Sequence, residues 1–133
     1  MNTLYYGDNL KILREYIKDE TVDLIYLDPP FNSNRNYNVL FRSESGSEAE
    51  SQITAFEDTW KWGLETEATY KELVLASDAV GQMIESFRSF IGENQMMAYL
   101  TMMAIRLKEL HRVLKPTGSL YLHCDPTASH YLK

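Results

Sequence analysis

Apolar positions along the chain fall into short solid runs and into longer stretches with helical spacing. Thr3-Leu4-Tyr5-Tyr6 reads as a short strand and Gly7-Asp8 as a turn; Leu10, Leu13, Tyr16 and Ile17 then recur on one helix face, with Asp8 placed to cap that helix. Val22-Asp23-Leu24-Ile25-Tyr26-Leu27 is an apolar, β-branched run that ends abruptly in Asp28-Pro29-Pro30-Phe31. It predicts a buried parallel strand, and the prolines forbid its continuation. Residues 43–51 are Ser, Glu, Gly and Ala without apolar period, which predicts a mobile surface loop. Glu67 to Phe90 and Asn94 to Leu114 read as two helices; the second carries Met97, Leu100, Met103 or Ala104, Leu107, Leu110 and Leu114 on one face. Lys115-Pro116-Thr117-Gly118 ends that helix, and Ser119 to Cys124 reads as the final strand.

This order of elements predicts an α/β domain with parallel strands flanked by helices and joined by right-handed crossovers. In open α/β sheets ligands bind outside the carboxyl ends of the strands, so Asp28 and Phe31 are delivered to the place where such folds do chemistry. His123 and Asp125 come out at the same sheet edge. A lone histidine at a strand end is commonly structural, and only its address keeps His123 as a site candidate. Two consecutive prolines fix φ and lack N–H groups, so the Asp28 carboxylate and the Pro29 carbonyl form a rigid edge of acceptors. Their natural guest is an exocyclic amino group with its two N–H donors. Phe31 adds a flat face for a base taken out of its stack, a contact worth about 1–3 kcal/mol in single-strand binders.

Composition narrows the picture. A length of 133 residues with 44% hydrophobic and 24% charged side chains predicts one domain spanning 1–133. No apolar stretch approaches the roughly 20 residues of a membrane span, and the amino terminus lacks the pattern of a secretory leader, so a cytoplasmic protein is expected. Cys124 is the single cysteine; it makes no internal disulfide, belongs to no metal-ligand cluster, and is expected to be a small buried hydrophobe. With 13 basic against 19 acidic residues the net charge is −6, an unfavourable balance for holding a polyanion. Arg106, Lys108, His111, Arg112 and Lys115 crowd the end of the second long helix, where they complement its dipole or, on a sharper reading, form a phosphate patch.

Asp28-Pro29-Pro30-Phe31 after a hydrophobic strand resembles the catalytic motif of amino-group DNA methyltransferases. So do Asn32-Ser33-Asn34-Arg35-Asn36-Tyr37-Asn38, Phe56-Glu57-Asp58-Thr59-Trp60 and the segment from Leu114 to His123. Together they are similar to site-specific adenine methyltransferases in which the catalytic motif precedes the cofactor motif. The resemblance implies a partial Rossmann-like fold, S-adenosyl-L-methionine as methyl donor and N6 of a flipped adenine in DNA as acceptor. It further implies Asp28, Pro29, Pro30 and Phe31 as catalytic, Asp8 and Asp28 near the cofactor, and Asn32, Arg35 and Tyr37 near the nucleotide, with no metal; His123 joins the nucleotide candidates by its address alone. Asp8 remains open to a second reading as a plain helix cap. The excursion over 32–66, far longer than a usual connection of about 2–6 residues, either closes over the target nucleotide with Asn32, Arg35, Asn36 and Tyr37 near its hinge, or is tacked onto the core by Phe56, Trp60 and Trp62.

In that family an Asp-Pro-Phe-x-Gly-x-Gly type cofactor loop follows the target-recognition region. The glycines here, Gly7, Gly46, Gly63, Gly81, Gly92 and Gly118, stand singly. The chain is therefore expected to correspond to the amino-terminal part of such an enzyme, without the cofactor glycine motif and the recognition region, and to bind the donor weakly or not at all by itself. Missing strands would leave open sheet edges, for which a homodimer is one remedy. The alternative function is a truncated, non-enzymatic remnant that folds without catalysis.

Overall fold

The two apolar runs that bracket the chain's long middle section pair with each other. The computed structural model describes residues 1–29 and 60–133 throughout, and the backbone of residues 36–39 and 53–57. Along the chain its elements are α1 (Asn9–Tyr16), β1 (Val22–Leu27), β2 (Asn36–Val39), β3 (Ile53–Glu57), α2 (Leu64–Leu75), α3 (Ala79–Ile91), α4 (Gln95–Val113), β4 (Leu114–Leu122) and α5 (Pro126–Leu132). β1 and β4 are parallel, with Leu24 opposite Ser119, Ile25 opposite Leu120, Tyr26 opposite Tyr121 and Leu27 opposite Leu122. Parallel neighbours need a long crossover, which everything from residue 28 to α4 supplies. β2 and β3 form a separate antiparallel pair inside it. The molecule is α/β.

Alternation along the strands sets the layers. Ile25 is buried and packs with Leu13, Leu110 and Val113, joined by Val22, Leu27, Leu107 and Leu120, so this sheet face lies on α1 and α4. Leu24, Tyr26 and Tyr121 point the other way and are 60%, 70% and 60% exposed, so β1 is covered on one face only and is not the buried strand that its solid apolar run predicts. α4 is the central pillar: from Met97 to Ile105 every residue is buried, the signature of a helix surrounded by protein on all sides. Asn94 caps it by accepting from the Met97 N–H at 3.0 Å.

The corner below the strands is stitched closely. Arg112, near the end of α4, donates to the carbonyls of Leu13 at 2.8 Å and Ile17 at 3.1 Å, at the end of α1, where Leu13 also accepts from the Ile17 N–H. The Glu20 and Thr21 N–H groups donate to the carbonyls of Arg112 and Val113 at 3.0 and 2.9 Å. α4 then passes into β4 without a linker. Arg106, further back along α4, meets Asp8 and Asn9 at the start of α1. The two helices thus run in the same direction, against the strands, and the beginning of α1 lies toward the strands' carboxyl ends.

Several expectations are corrected. Residues 3–6 form no strand: Leu4 and Tyr6 are 95% and 92% exposed, and among the described residues no strand pairs with them. The single helix expected over 67–90 is two. Ser77 turns with φ +53°, and the Asp78 side chain caps a new helix by accepting from the Gly81 N–H at 2.9 Å. β4 starts directly at Leu114, earlier than expected, because Lys115 to Gly118 bulge out between the Val22–Leu114 and Leu24–Ser119 pairs. Cys124 lies past the end of β4 and is only partly buried. The cationic cluster is no phosphate patch, since Arg106 pairs with Asp8, Lys108 with Asp78, Arg112 with Asp19 and Glu109, and Lys115 with Asp23. β2, β3 and α5 went unforeseen, and the expected loop at 43–51 lies outside the described residues.

Gly81 tests the α2–α3 corner. A Cβ there would be driven into the Leu73 carbonyl. Alanine favours helix over glycine by about 1 kcal/mol, but a backbone clash in a packed corner costs more. Gly81→Ala should therefore lower unfolding free energy by about 1–2 kcal/mol in urea titrations; a stabilised variant would show that the two helices can part at no cost.

Lys108 tests the same corner from the other side. Its ammonium, 2.6 Å from Asp78, is the main reason that the Asp78 carboxyl sits below the usual aspartate range, helped by the Gly81 N–H. A lowered folded-state pKa means a contribution that is complete above the ordinary value of about 4 and lost as pH falls through the folded one. Asp78→Asn should accordingly flatten the dependence of stability on pH below about 4, followed by circular dichroism; an unchanged acid limb would refute the coupling.

Candidate active site at the strand ends

β1 stops where its prolines begin, and the ladder with β4 runs one rung further. The His123 N–H donates to the Leu27 carbonyl at 2.9 Å, so Asp28 and His123 leave the sheet side by side. Asp28 and His123 are exposed, while Pro29, Cys124 and Asp125 are half-buried. Asp125 turns back into the protein as the cap of α5, accepting from the Ala128 N–H at 3.1 Å, and Pro126 occupies the first turn where no N–H is needed.

Underneath these exits lies an aromatic floor. Buried Tyr99 and Met103 of α4 and Ala128 of α5 pack with Leu27, Leu122, Met96, Leu132 and Trp60. The Trp60 and Tyr99 rings lie 6.1 Å apart, tilted by 53°. Trp60 thereby ties the return of the excursion to the last residues of both strands. Two residues on, Trp62 donates from its indole N–H to Glu67 at 3.1 Å, and the Arg88 guanidinium sits 4.7 Å from the Trp62 ring centre and 4.3 Å from that of Tyr70. Glu93 first, and Glu67 after it, hold that guanidinium firmly protonated. Of the two readings of the excursion, tacking onto the core holds for Trp60 and Trp62; the Phe56 side chain is outside the described residues.

Asp8 belongs to the same end of the layer through α1. Its Oδ1 accepts from the Leu10 N–H at 2.9 Å, which makes it the helix cap that the spacing predicts. The structure thus brings Asp28 and His123 together and sets Asp8 on the same side. Pro30, Phe31, Asn32 and Arg35 lie outside the described residues, and Asn36 and Tyr37 are described only as backbone of β2, opposite Glu57 and Phe56. Among the described residues no group of three or more His, Cys, Asp or Glu could hold a metal ion, and no helix is long and apolar enough to cross a membrane. Sequence reasoning missed α5, although Asp-Pro is a recognisable cap and first turn. It also missed the partner of Asp8, since nothing local connects Arg106 to a residue 98 positions away.

An acidic side chain exposed at the end of a parallel strand and followed by prolines is where an N6/N4 methyltransferase would carry its motif. The family model of that kind, described as DNA methylase, matches residues 22–133. The chain belongs to the N6-adenine/N4-cytosine DNA methylase family. No curated protein and no solved structure matches it significantly. The matched span opens at the first residue of β1 and runs through α5, so it takes in Asp28, His123 and the aromatic floor. Asp8 and α1 precede it.

The aromatic floor makes its own prediction. Removing the half-buried Trp60 leaves a void against Tyr99, and Trp60→Ala should cost about 2–4 kcal/mol, whereas Trp60→Phe should cost less than about 1.5 kcal/mol. Urea unfolding monitored through the remaining indole of Trp62 checks this; equal costs would mean that the ring is not packed.

Proposed function

We propose that this domain transfers a methyl group from S-adenosyl-L-methionine to N6 of an adenine taken out of the DNA stack, within a partial Rossmann-like fold. The observation that carries the reading is the exposed Asp28 carboxylate at the carboxyl end of a parallel strand, beside His123. Asp28 and the Pro29 carbonyl would accept the two N–H donors of the adenine amino group. These bonds draw the nitrogen lone pair out of conjugation with the ring and aim it, so positioning rather than strong basicity is the contribution of Asp28. Phe31 would stack on the base, with Asn32, Arg35, Tyr37 and His123 around the nucleotide. Adenine over cytosine follows from Asp at position 28, by resemblance to the adenine enzymes.

The residues present suit the donor. S-adenosylmethionine when bound supplies an electrophilic methyl on a positively charged sulfur. Asp28 offers an exposed carboxylate at this end of the layer, the right sign for a cationic ligand, while the charge of Asp8 is met by Arg106. DNA is a less comfortable partner for the described surface, because four cations at the end of α4 and the start of β4 are committed to internal ion pairs. That observation favours the second reading, a domain that folds and does not turn over.

One comparison separates them. Adenine-containing single strands should bind more tightly than strands carrying purine, which lacks the amino group, and Asp28→Ala should weaken the adenine strand about tenfold, or about 1.4 kcal/mol, while leaving the purine strand unchanged. Amide-shift titration of the labelled chain reads both. Equal affinity for the two strands in the unsubstituted protein would leave the non-catalytic reading standing.

A further inference from the structure

Two apolar surfaces of the chain have no cover among the described residues, and they belong to opposite sides of the layer. The first is the open face of the β1–β4 pair. Leu24, Tyr26 and Tyr121 lie bare on it, and Tyr26 stands directly opposite Tyr121. The second is the arm of residues 1–6. Its Tyr5 ring lies 5.5 Å from that of Tyr16, which holds the arm on α1, and α1 packs on the other face of the sheet, where Ile25 is buried. Gly7, at φ +147°, turns the arm into the start of that helix. Leu4 and Tyr6, on either side of Tyr5, point into solvent; side chains that are 95% and 92% exposed pack on nothing, their own Leu24 and Tyr26 included.

Single apolar side chains on a surface are ordinary, whereas contiguous patches beyond a few hundred Å² mark interaction sites. At about 200 Å² for each ring, the three bare tyrosines leave roughly 450 Å² open in one copy, and Leu4 and Leu24 raise this to roughly 700 Å². Arm on face, in both directions, would bury about 1,400 Å² between two copies, within the range of about 1,200–2,000 Å² that a stable and specific interface takes. Face on face, or arm on arm, would bury about half of that and fall short.

We infer that the chain dimerises by exchanging arms: Leu4 and Tyr6 of one copy lie across Leu24, Tyr26 and Tyr121 of a second copy, whose own arm crosses back onto the first. Each copy gives and receives the same contact, so the exchange closes at two. The side chains that meet are neutral, and the net charge of −6 on each chain opposes them only through screened, long-range repulsion. The covered face ends two residues short of Asp28 and His123, so the second copy's arm borders the candidate site. None of this depends on the methyl-donor reading.

Sedimentation equilibrium of the full chain between about 1 and 300 µM should show monomer and dimer in exchange, with a dissociation constant on the order of 10 µM. Tyr6→Asp, outside every helix and strand, should weaken the dimer at least about tenfold while the circular dichroism spectrum stays unchanged. Cross-linking reads the connectivity. In a Cys124→Ala background, Leu4→Cys and Tyr26→Cys chains mixed under mild oxidation should link to each other, and a chain carrying both substitutions should link into dimers. A chain that stays monomeric at the highest concentration, or a Tyr6→Asp dimer as tight as the unsubstituted one, overturns the exchange. So does a double variant that closes within one chain, or Tyr26→Cys chains that link to one another as readily as to Leu4→Cys.

Discussion

Register in the β1–β4 pair depends on one corner, where α1 ends and α4 becomes β4. A parallel pair has no hairpin turn to align its strands, so something else must decide which residue faces which. Arg112 does so by binding the last carbonyls of α1, and the Glu20 and Thr21 N–H groups complete the seam on the carbonyls of Arg112 and Val113. Glu20 adopts φ +50° to make the turn. A slip of one residue there would exchange Ile25 for Leu24 on the face that meets α4 and would send Asp28 to the wrong side of the layer.

Where side chains spoke to near neighbours, the sequence was a good guide. The apolar run before the double proline became β1, Asp8 became a cap, and the helical face from Met97 to Leu110 became the pillar of the core. Long-range pairing was not legible. Residues 3–6 have the composition of a strand, and without a neighbouring strand the propensity comes to nothing. Asp78 outweighed the apolar period that ran across it, because a capped new start satisfies N–H groups that a continuous helix would have to bend to serve. The cations at the end of α4 resembled a patch until their partners, on α1, β1 and the start of α3, became visible.

The place of Asp28 was legible for a simple reason: two prolines at the end of an apolar run announce an exit from the sheet. What surrounds the exit was not legible. Trp60 looked like one of several aromatic tethers, and only the packing shows it on the same buried cluster of Tyr99, Met103 and Ala128 that Leu27 and Leu122 cover. The cations nearby were equally hidden from the sequence, since their use in internal ion pairs depends on partners far along the chain.

The rung between His123 and Leu27 joins two chain segments that otherwise separate at once, one toward Pro29 and the other toward α5. It is a shared hinge pin. Any rotation of the backbone at Asp28 must either carry the start of α5 along or break that bond, and α5 is itself anchored to the buried core through Ala128. Movement at the exit of β1 is therefore geared to the carboxyl-terminal helix, and a change in how that helix docks would be felt first at the carboxylate of Asp28.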